Sequence, residues 1–275
     1  MKIFDFSIII IYFLIYSCGS PEVIQNKFSS INIADNIGKG YILNLSEIAE
    51  KIDYIPLETN NFSMIEEIRS IFYSSDHFII RSIVSETEKI YIFDKDGKTF
   101  SVINKKGRGP DEYTMIYSID VNKDTLTILS VNKINEYTFN VKLIRSILID
   151  NVKMPFGYSQ VEKLDGCHYI LTPILGTQRQ YKYSAVILDN KANFKLLFSY
   201  PESEVEIAKN SNSYTKSLKS VNIFSYKGLG KAISGDNEYI LTHNKSYQRI
   251  DTIYKINFGK YQVTKENIAT KNKIS

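Results

Sequence analysis

A group of short apolar segments, separated by polar turns, recurs along the chain and limits its fold more than any other feature. The first group ends at a hairpin signal, Lys95-Asp96-Gly97, where glycine accepts a positive φ without a Cβ clash. Segments of about five residues that are rich in β-branched and aromatic side chains predict short antiparallel strands. The segments of this first group are residues 65–73, 77–82, 89–94 and 99–104.

Three further groups follow the first one. The second group comprises residues 113–121, 124–131, 133–139 and 143–148, and the third comprises residues 157–164, 167–173, 183–189 and 194–200. The fourth resumes at Val221 and includes residues 238–242, residues 250–258 and a final strand near Tyr261, after a polar insertion at residues 201–220. We align the second strands at His77, Thr125, His168 and Glu238. The first two intervals are roughly 45 residues, the period of a propeller blade.

This repeat predicts an all-β protein, a β-propeller of four-stranded antiparallel blades with about four to five blades present. Each blade has an apolar face that only a neighbouring blade can cover, so isolated blades are unstable. An incomplete ring is compatible with this count, and a β-sandwich is the alternative fold. Residues 52–59, with Pro56 on an edge, are predicted to form an N-terminal edge strand that suits a ring closed by the chain ends.

The first eighteen residues form a targeting segment. An unbroken apolar run at residues 8–15 has the length of a signal peptide and is too short for a stable membrane span. It is followed by Ser17 and Cys18, which resemble the lipobox of bacterial lipoproteins. This resemblance implies cleavage before Cys18, a lipid on Cys18 and a membrane anchor, and the absence of an acidic residue directly after Cys18 resembles outer-membrane sorting. An ordinary secretory signal is the alternative. The predicted organisation is therefore a signal peptide (1–18), a tether (19–40) and the propeller (41–275).

Composition narrows the choice of partners. The formal net charge is only +4, far from the basic bias of nucleic-acid-binding proteins, so no nucleic-acid partner is predicted. The chain has two cysteines, and Cys18 belongs to the targeting segment, so no disulfide framework is expected in the mature chain. Cys167, beside an apolar strand, is predicted to be a buried and inert thiol.

Three motifs carry a family resemblance. IPLET at residues 55–59, FDKDGK at residues 93–98 and above all KGRGPDEY at residues 106–113 resemble the six-bladed β-propeller lipoproteins of Bacteroides-type bacteria. The resemblance implies a propeller fold and a surface location, but no defined chemistry. The chain departs from that family at Asp111, where glycine is usual, and in having fewer recognisable blades. A truncated gene product is one explanation for the smaller number of blades.

The last motif, which we call the corner (residues 106–113), holds the predicted ligand contacts. Its proline and glycines cannot continue a strand, so it connects two sheets. Arg108, Asp111, Glu112 and Tyr113 are the candidate ligand-binding residues at the ring surface. The alternative is that the two carboxylates cap backbone donors beside Arg108.

Other candidate sites have more ordinary explanations. His77 and His168 occupy matching repeat positions, which makes a metal in a central channel conceivable, but the same position holds Thr125 and Glu238. We therefore predict no metal site, no cofactor and no catalytic residue. Asp94 opens a sequence similar to a calcium loop, yet a hairpin turn explains it better. Tyrosines that could line a sugar- or peptide-binding face, or merely pack between sheets, are Tyr91, Tyr181, Tyr183 and Tyr247.

The function predicted from the sequence is that of a lipid-anchored cell-envelope propeller, on the outer membrane, which binds or scaffolds a peptide, a glycan or a protein. Two alternatives remain open. One is a propeller enzyme, a lyase or a hydrolase, that uses the central channel, and the other is a truncated fragment without a function of its own. Fold analogy alone does not decide between them.

Overall fold

The fold consists of four β-sheets that follow one another along the chain. A computed structural model describes residues 29–149, 157–173, 183–199, 223–226, 229–233, 239–243 and 250–261. Short 3-10 turns are present at Ala34–Asn36, Leu45–Glu47 and Gly259–Tyr261. The prediction of an all-β protein with four-stranded antiparallel sheets is confirmed.

Each sheet is a meander of consecutive strands. The first contains β2 (Glu67–Ser74), β3 (His77–Val84), β4 (Thr87–Asp94) and β5 (Thr99–Ile103), and the second contains β6 (Ser118–Asn122), β7 (Thr125–Leu129), β8 (Lys133–Thr138) and β9 (Leu143–Leu148). The third contains β10 (Tyr158–Lys163), β11 (His168–Pro173), β12 (Tyr183–Asp189) and β13 (Phe194–Ser199). The fourth contains β14 (Ile223–Tyr226), β15 (Leu229–Ile233), β16 (Tyr239–His243) and β17 (Ile250–Asn257), and β1 (Ser29–Asn32) pairs with β17 in parallel.

Apolar side chains on both faces of the strands hold the sheets together. In β4, Ile90 and Ile92 point towards the second sheet, whereas Tyr91 and Phe93 point to the opposite side, and all four are completely buried. Side chains that alternate along a strand lie on opposite faces of its sheet. Four consecutive buried apolar residues in β4 therefore indicate a sheet that is covered on both sides.

The sheets stack face to face in chain order. One buried cluster joins the first and second sheets, another joins the second and third, and a further cluster joins the third and fourth. The first strands of successive sheets are neighbours, since β2 contacts β6, β6 contacts β10, and β10 contacts β14. Meander sheets that stack with their first strands innermost have the arrangement of propeller blades.

The stack has two distinct ends. We call the side with the β2–β3 and β4–β5 turns the hairpin end, and the side with the β3–β4 turn and the corner the corner end. Lys163 N donates to Asp120 Oδ2 at 2.8 Å and Val161 N donates to Ser118 Oγ at 3.4 Å, so β10 runs in the same direction as β6. By the same repeat, β17 runs towards the corner end. β1 is parallel to β17 and pairs with its second half, from Ser29 opposite Tyr254 to Asn32 opposite Asn257, so β1 also runs towards the corner end.

The N-terminal residues differ from the prediction. No strand forms at residues 52–59, so the predicted edge strand is wrong. Pro56 has no N–H to donate, and the segment instead crosses the β4–β5 hairpin, where Glu58 N donates to Gly97 O at 2.8 Å. The strand that adds to a sheet edge is β1, within the residues predicted as the tether. The domain boundary at residue 41 stays a prediction.

The same N-terminal segment covers the outer face of the first sheet. Leu57 and Ile65 pack against a buried cluster that includes Ile80, Tyr91 and Phe93. In the other sheets the corresponding face is covered by the preceding sheet in the stack. A folded-back piece of chain therefore protects the start of the stack from water.

The fourth sheet also corrects the sequence alignment. Residues 238–242 were aligned with second strands, but β16 is the third strand of its sheet, because β14 and β15 precede it. The alignment matched an apolar run alone and had no signal for the two short strands before it. Tyr261, near which a final strand was predicted, lies in a 3-10 turn, and the insertion at residues 201–220 is outside the described residues.

The β4–β5 hairpin is confirmed as a turn, and it is repeated in the third sheet. Asp94 Oδ1 accepts backbone N–H groups two and four residues further on, at 3.0 and 2.9 Å. Asp189 Oδ1 does the same at 2.8 and 2.9 Å. The turn requires a positive φ at its fourth residue, which is +80° at Gly97 and 59° at Ala192. An Asp side chain that bonds its own following backbone is the usual cause of such a turn.

We expect Gly97→Ala to destabilise the protein. A Cβ at Gly97 would lie 2.2 Å from Pro56 O, and the positive φ alone costs about 1–2 kcal/mol for a residue with a side chain. Denaturant unfolding should show a loss of at least that size, with residues 52–65 becoming more sensitive to proteolysis. Gly166→Ala is the control, because nothing lies within 4 Å of its added Cβ. Equal stability of the two variants would contradict the close packing of the N-terminal segment.

Candidate functional site

The corner is a closed loop between β5 and β6. Gly107 N donates to Tyr113 O and Tyr113 N donates to Lys105 O, each at 2.9 Å. These two bonds fix both ends of the loop without a regular strand. The loop therefore has a defined shape, although its sequence is rich in glycine.

Tyr113 anchors the corner in the core. Its ring is buried in the cluster between the first and second sheets, and its hydroxyl donates to Glu88 O at 3.1 Å. Burial raises the pKa of Tyr113 to about 12. The hydroxyl is thus a neutral donor that is used inside the protein, and the structure places Tyr113 away from the surface on which a ligand would bind.

Glu112 also acts within the loop. Its Oε2 accepts the N–H of Gly109 at 2.7 Å, which is the capping role considered as the alternative. A Cβ at Gly107 would lie 2.0 Å from the same oxygen, so the carboxylate occupies the space that a side chain at Gly107 would need. The carboxylate of Glu112 can therefore take this position only because residue 107 is a glycine.

Asp111 forms an ion pair with Lys105 and not with Arg108. Lys105 Nζ lies 2.6 Å from Asp111 Oδ2, and this hydrogen bond holds the pKa of the Asp111 carboxyl below its usual value. The Asp111 backbone carbonyl accepts the hydroxyl of Tyr137 at 2.8 Å. Asp111 thus links the corner to both adjacent sheets, and its side chain remains half exposed.

The second sheet holds the other side of the corner. Lys133 Nζ donates to Gly109 O at 2.8 Å, and Asn135 Nδ2 donates to Glu112 O at 3.1 Å. Arg108 is exposed, and no ion pair or hydrogen bond joins its side chain to another of the described residues. Of the four residues predicted to bind a ligand, Arg108 is the one that the geometry leaves available.

A second pair of charged residues secures the chain that leaves the corner. Arg81 and Glu88 form an ion pair on neighbouring strands and are largely buried. Arg81 donates to Ile116 O at 2.5 Å, and Glu88 Oε2 accepts the N–H of Ile116 at 3.0 Å. The backbone of Ile116 is thereby held in register where it enters the second sheet.

Sequence reasoning missed a buried charge between the second and third sheets. Glu136 is fully buried and forms ion pairs with Lys163 Nζ at 2.8 Å and Arg145 Nε at 3.0 Å. Tyr169 also donates its hydroxyl to Glu136 Oε1 at 2.9 Å. The available signal was the alternation in β8, because Glu136 shares the core-facing side with Ile134.

His77 and His168 lie at the starts of strands in two different sheets. The matching position of His77 and His168 is real, since each begins the second strand of its sheet. His77 Nδ1 lies 2.6 Å from Ser75 O, and His168 Nδ1 lies 2.9 Å from Asp165 Oδ2. Within the described residues, no group of three or more His, Cys, Asp or Glu side chains is placed to hold a metal ion.

Cys167 is not buried, so that prediction is wrong. It is exposed in the turn before β11, where Asn190 Nδ2 donates to its Sγ at 3.6 Å. The apolar run that suggested burial begins two residues later, at Tyr169. Tyr91 is a core residue, whereas Cys18, Tyr181, Tyr247 and the side chain of Tyr183 lie outside what the structure describes.

The stacked meander sheets define the protein as one of the β-propeller class. Residues 28–275 match the family described as "Domain of unknown function (DUF4934)", and the chain belongs to this family. No curated protein is significantly similar to the sequence. In the described part of the chain, no helix is long and apolar enough to span a bilayer.

Similar folds occur among solved structures. An exported protein from Bacteroides fragilis NCTC 9343 is 15% identical, with a TM-score of 0.55 over 75% of this chain and 55% of that chain. A DUF4221 family member from Bacteroides vulgatus is 8% identical (TM-score 0.43, 72% of this chain, 60% of that one), and the WD40 domain of Toxoplasma gondii coronin is 9% identical (0.42, 68% and 44%). The chain thus spans little more than half the length of the B. fragilis protein. That likeness is one of fold, and kinship to the Bacteroides-type lipoprotein propellers, lipid attachment and the number of blades stay predictions.

We expect Glu136→Ala to be strongly destabilising. Removing one partner of a buried ion pair leaves an uncompensated charge, here on Lys163, and costs about 3–5 kcal/mol. Denaturant unfolding measures the loss. Glu67→Ala, which breaks an exposed pair with Arg69 at 3.2 Å, is the matched control and should cost only a small fraction of that. A comparable loss of unfolding free energy in both variants would contradict a larger contribution from the buried ion pair.

Proposed function

We propose that the protein is a lipid-anchored β-propeller of the cell envelope that binds a peptide, a glycan or a protein partner at its corner end. The single observation that carries the binding role is the corner itself. It is held by hydrogen bonds with the sheets on both sides, and it presents Arg108 to solvent without a partner among the described residues.

A rigid loop suits recognition because little conformational freedom is lost when a ligand binds. The planar guanidinium of arginine pairs with carboxylate, sulfate or phosphate groups through two parallel hydrogen bonds. Half-exposed Asp111 adds an acceptor beside it in the same loop. These groups favour a ligand that combines an anionic group with hydroxyl or amide donors, as acidic glycans and peptides do.

The envelope location is supported by two observations. The apolar run at residues 8–15 followed by Cys18 has the pattern of a lipoprotein signal, and the solved B. fragilis protein of similar fold is described as exported. An anchor on Cys18 would hold Ser29 close to the membrane, because only ten residues lie between them.

Lipid attachment is tested by metabolic labelling with a fatty acid. The full chain should incorporate the label and fractionate with membranes. Cys18→Ala should abolish incorporation, because Cys18 supplies the thiol and the new amine that carry the lipid. Cys167→Ala is the control and should label normally, since that thiol lies in the folded domain. Label retained by Cys18→Ala would contradict the anchor.

Ligand binding is tested on arrays of neutral and acidic glycans and peptides. We expect the protein to retain acidic members, and Arg108→Ala to weaken their binding at least tenfold, or about 1.4 kcal/mol. Lys142→Ala is the control, an exposed cation in the β8–β9 turn at the hairpin end, and should bind normally. Absence of binding by the unaltered protein, or equal binding by Arg108→Ala, would contradict the proposed role of the corner.

A further inference from the structure

Exposed apolar side chains are concentrated near the N-terminus. Most of the large apolar residues that are exposed in the described part of the chain lie between Ile31 and Tyr73. Within that range, Ile42 is 91% exposed, Tyr54 is 90% exposed and Phe62 is 81% exposed. Single exposed apolar residues are ordinary, but a concentration of them marks a contact surface.

These residues belong to a length of chain that is attached at both ends. Residues 29–36 are tied to the fourth sheet through β1 and through Ile33 N, which donates to Asn257 O at 3.0 Å. Residues 57–65 are tied to the first sheet by Glu58 and by the packing of Leu57 and Ile65. We call residues 37–62, which begin after the first attachment and extend into the second, the N-terminal bridge. Its apolar side chains are thus held exposed on a folded protein.

The C-terminal part of the bridge lies at the hairpin end. Ile55 and Pro56 contact the β4–β5 turn at Gly97, which places Tyr54 next to that turn. Exposed aromatic residues flank the hairpin turns of the first sheet at the same end, Tyr73 before one turn and Phe100 after the other. The hairpin end of the first sheet therefore carries a group of exposed aromatic side chains beside the bridge.

We propose that the N-terminal bridge and the adjacent hairpin end rest on the surface of a lipid bilayer. The proposal depends on the lipid attachment at Cys18 proposed above. Ser29 is the eleventh residue after Cys18, and an extended chain spans at most about 3.5 Å per residue, so Ser29 stays within about 40 Å of the anchored lipid. Aromatic and aliphatic side chains at that distance gain by entering the headgroup region, where Tyr is enriched.

The charges of the bridge indicate how it would bind. The four acidic residues of the bridge outnumber its two cations, Lys39 and Lys51, and Lys51 is itself paired with Asp53 at 2.6 Å. Anionic headgroups would therefore repel the bridge. Contact must depend on apolar burial, and it should persist at high salt and on uncharged phosphatidylcholine.

The test exploits the absence of tryptophan from the chain, which makes any introduced indole a unique probe. The full-length, lipidated protein is reconstituted into phosphatidylcholine vesicles with or without brominated phosphatidylcholine, which quenches indole fluorescence on contact. Tyr54→Trp and Phe62→Trp report on the bridge, and two probes guard against one variant that fails to fold. Met115→Trp is the control, since Met115 is 53% exposed and follows the corner at the opposite end.

We expect brominated lipid to quench Tyr54→Trp and Phe62→Trp several-fold more than Met115→Trp, with no change between low and high salt. Equal quenching of all probes, or quenching of none while the protein is labelled and bound to vesicles, would overturn the docking and leave the anchor intact. Failure to incorporate fatty acid would overturn both. A blue shift of Tyr54→Trp that grows with protein concentration in the absence of lipid would show that a second copy covers the bridge, which also overturns the proposal.

Discussion

The covering of one sheet's apolar face by the next is the interaction on which the whole structure depends. Residues such as Ile92, Ile134 and Ile187 lie in clusters that two sheets build together. A meander of four short strands has little stability alone, because half of its apolar surface would face water. Each sheet is therefore stable only when its neighbours cover it, so the connections between sheets matter as much as the sheets themselves.

The motifs that carry the family resemblance turn out to be these connections. IPLET crosses the FDKDGK hairpin, where Glu58 and Gly97 are hydrogen-bonded and Pro56 O leaves no space for a side chain at Gly97. KGRGPDEY joins the first two sheets, with Tyr113 in the cluster between them. Residues 55–59 and 93–98 are far apart in the sequence but form one contact. A resemblance based on these motifs therefore reports on the fold more directly than on a ligand.

The spacing of apolar residues was sufficient to predict most strands of the first three sheets. Alternating apolar runs between polar turns rarely form any other secondary structure. It failed where local sequence and tertiary contact disagree. Residues 52–59 look like a strand, yet their hydrogen bonds go to a turn. β14 and β15 are too short to stand out before the stronger run of β16. Glu136 was overlooked because a single polar residue in an apolar strand gives no indication of its partners, which come from β9 and β10.

The candidate site was predictable as a location but not in its details. Proline and two glycines mark residues 106–113 as a connection, and the sequence alone could not assign Glu112 to Gly109 or Asp111 to Lys105, because those pairings depend on the closed shape of the loop. Once these pairings are satisfied, Lys106 and Arg108 are the charged side chains of the corner that have no ion pair or hydrogen bond with the described residues. The position of Arg108 is also set by topology. The chain leaves β5 at the opposite end of the first sheet from the β4–β5 hairpin, and the corner follows there. The exposed guanidinium and the contact of residues 55–58 with Gly97 therefore lie at opposite ends of the same sheet.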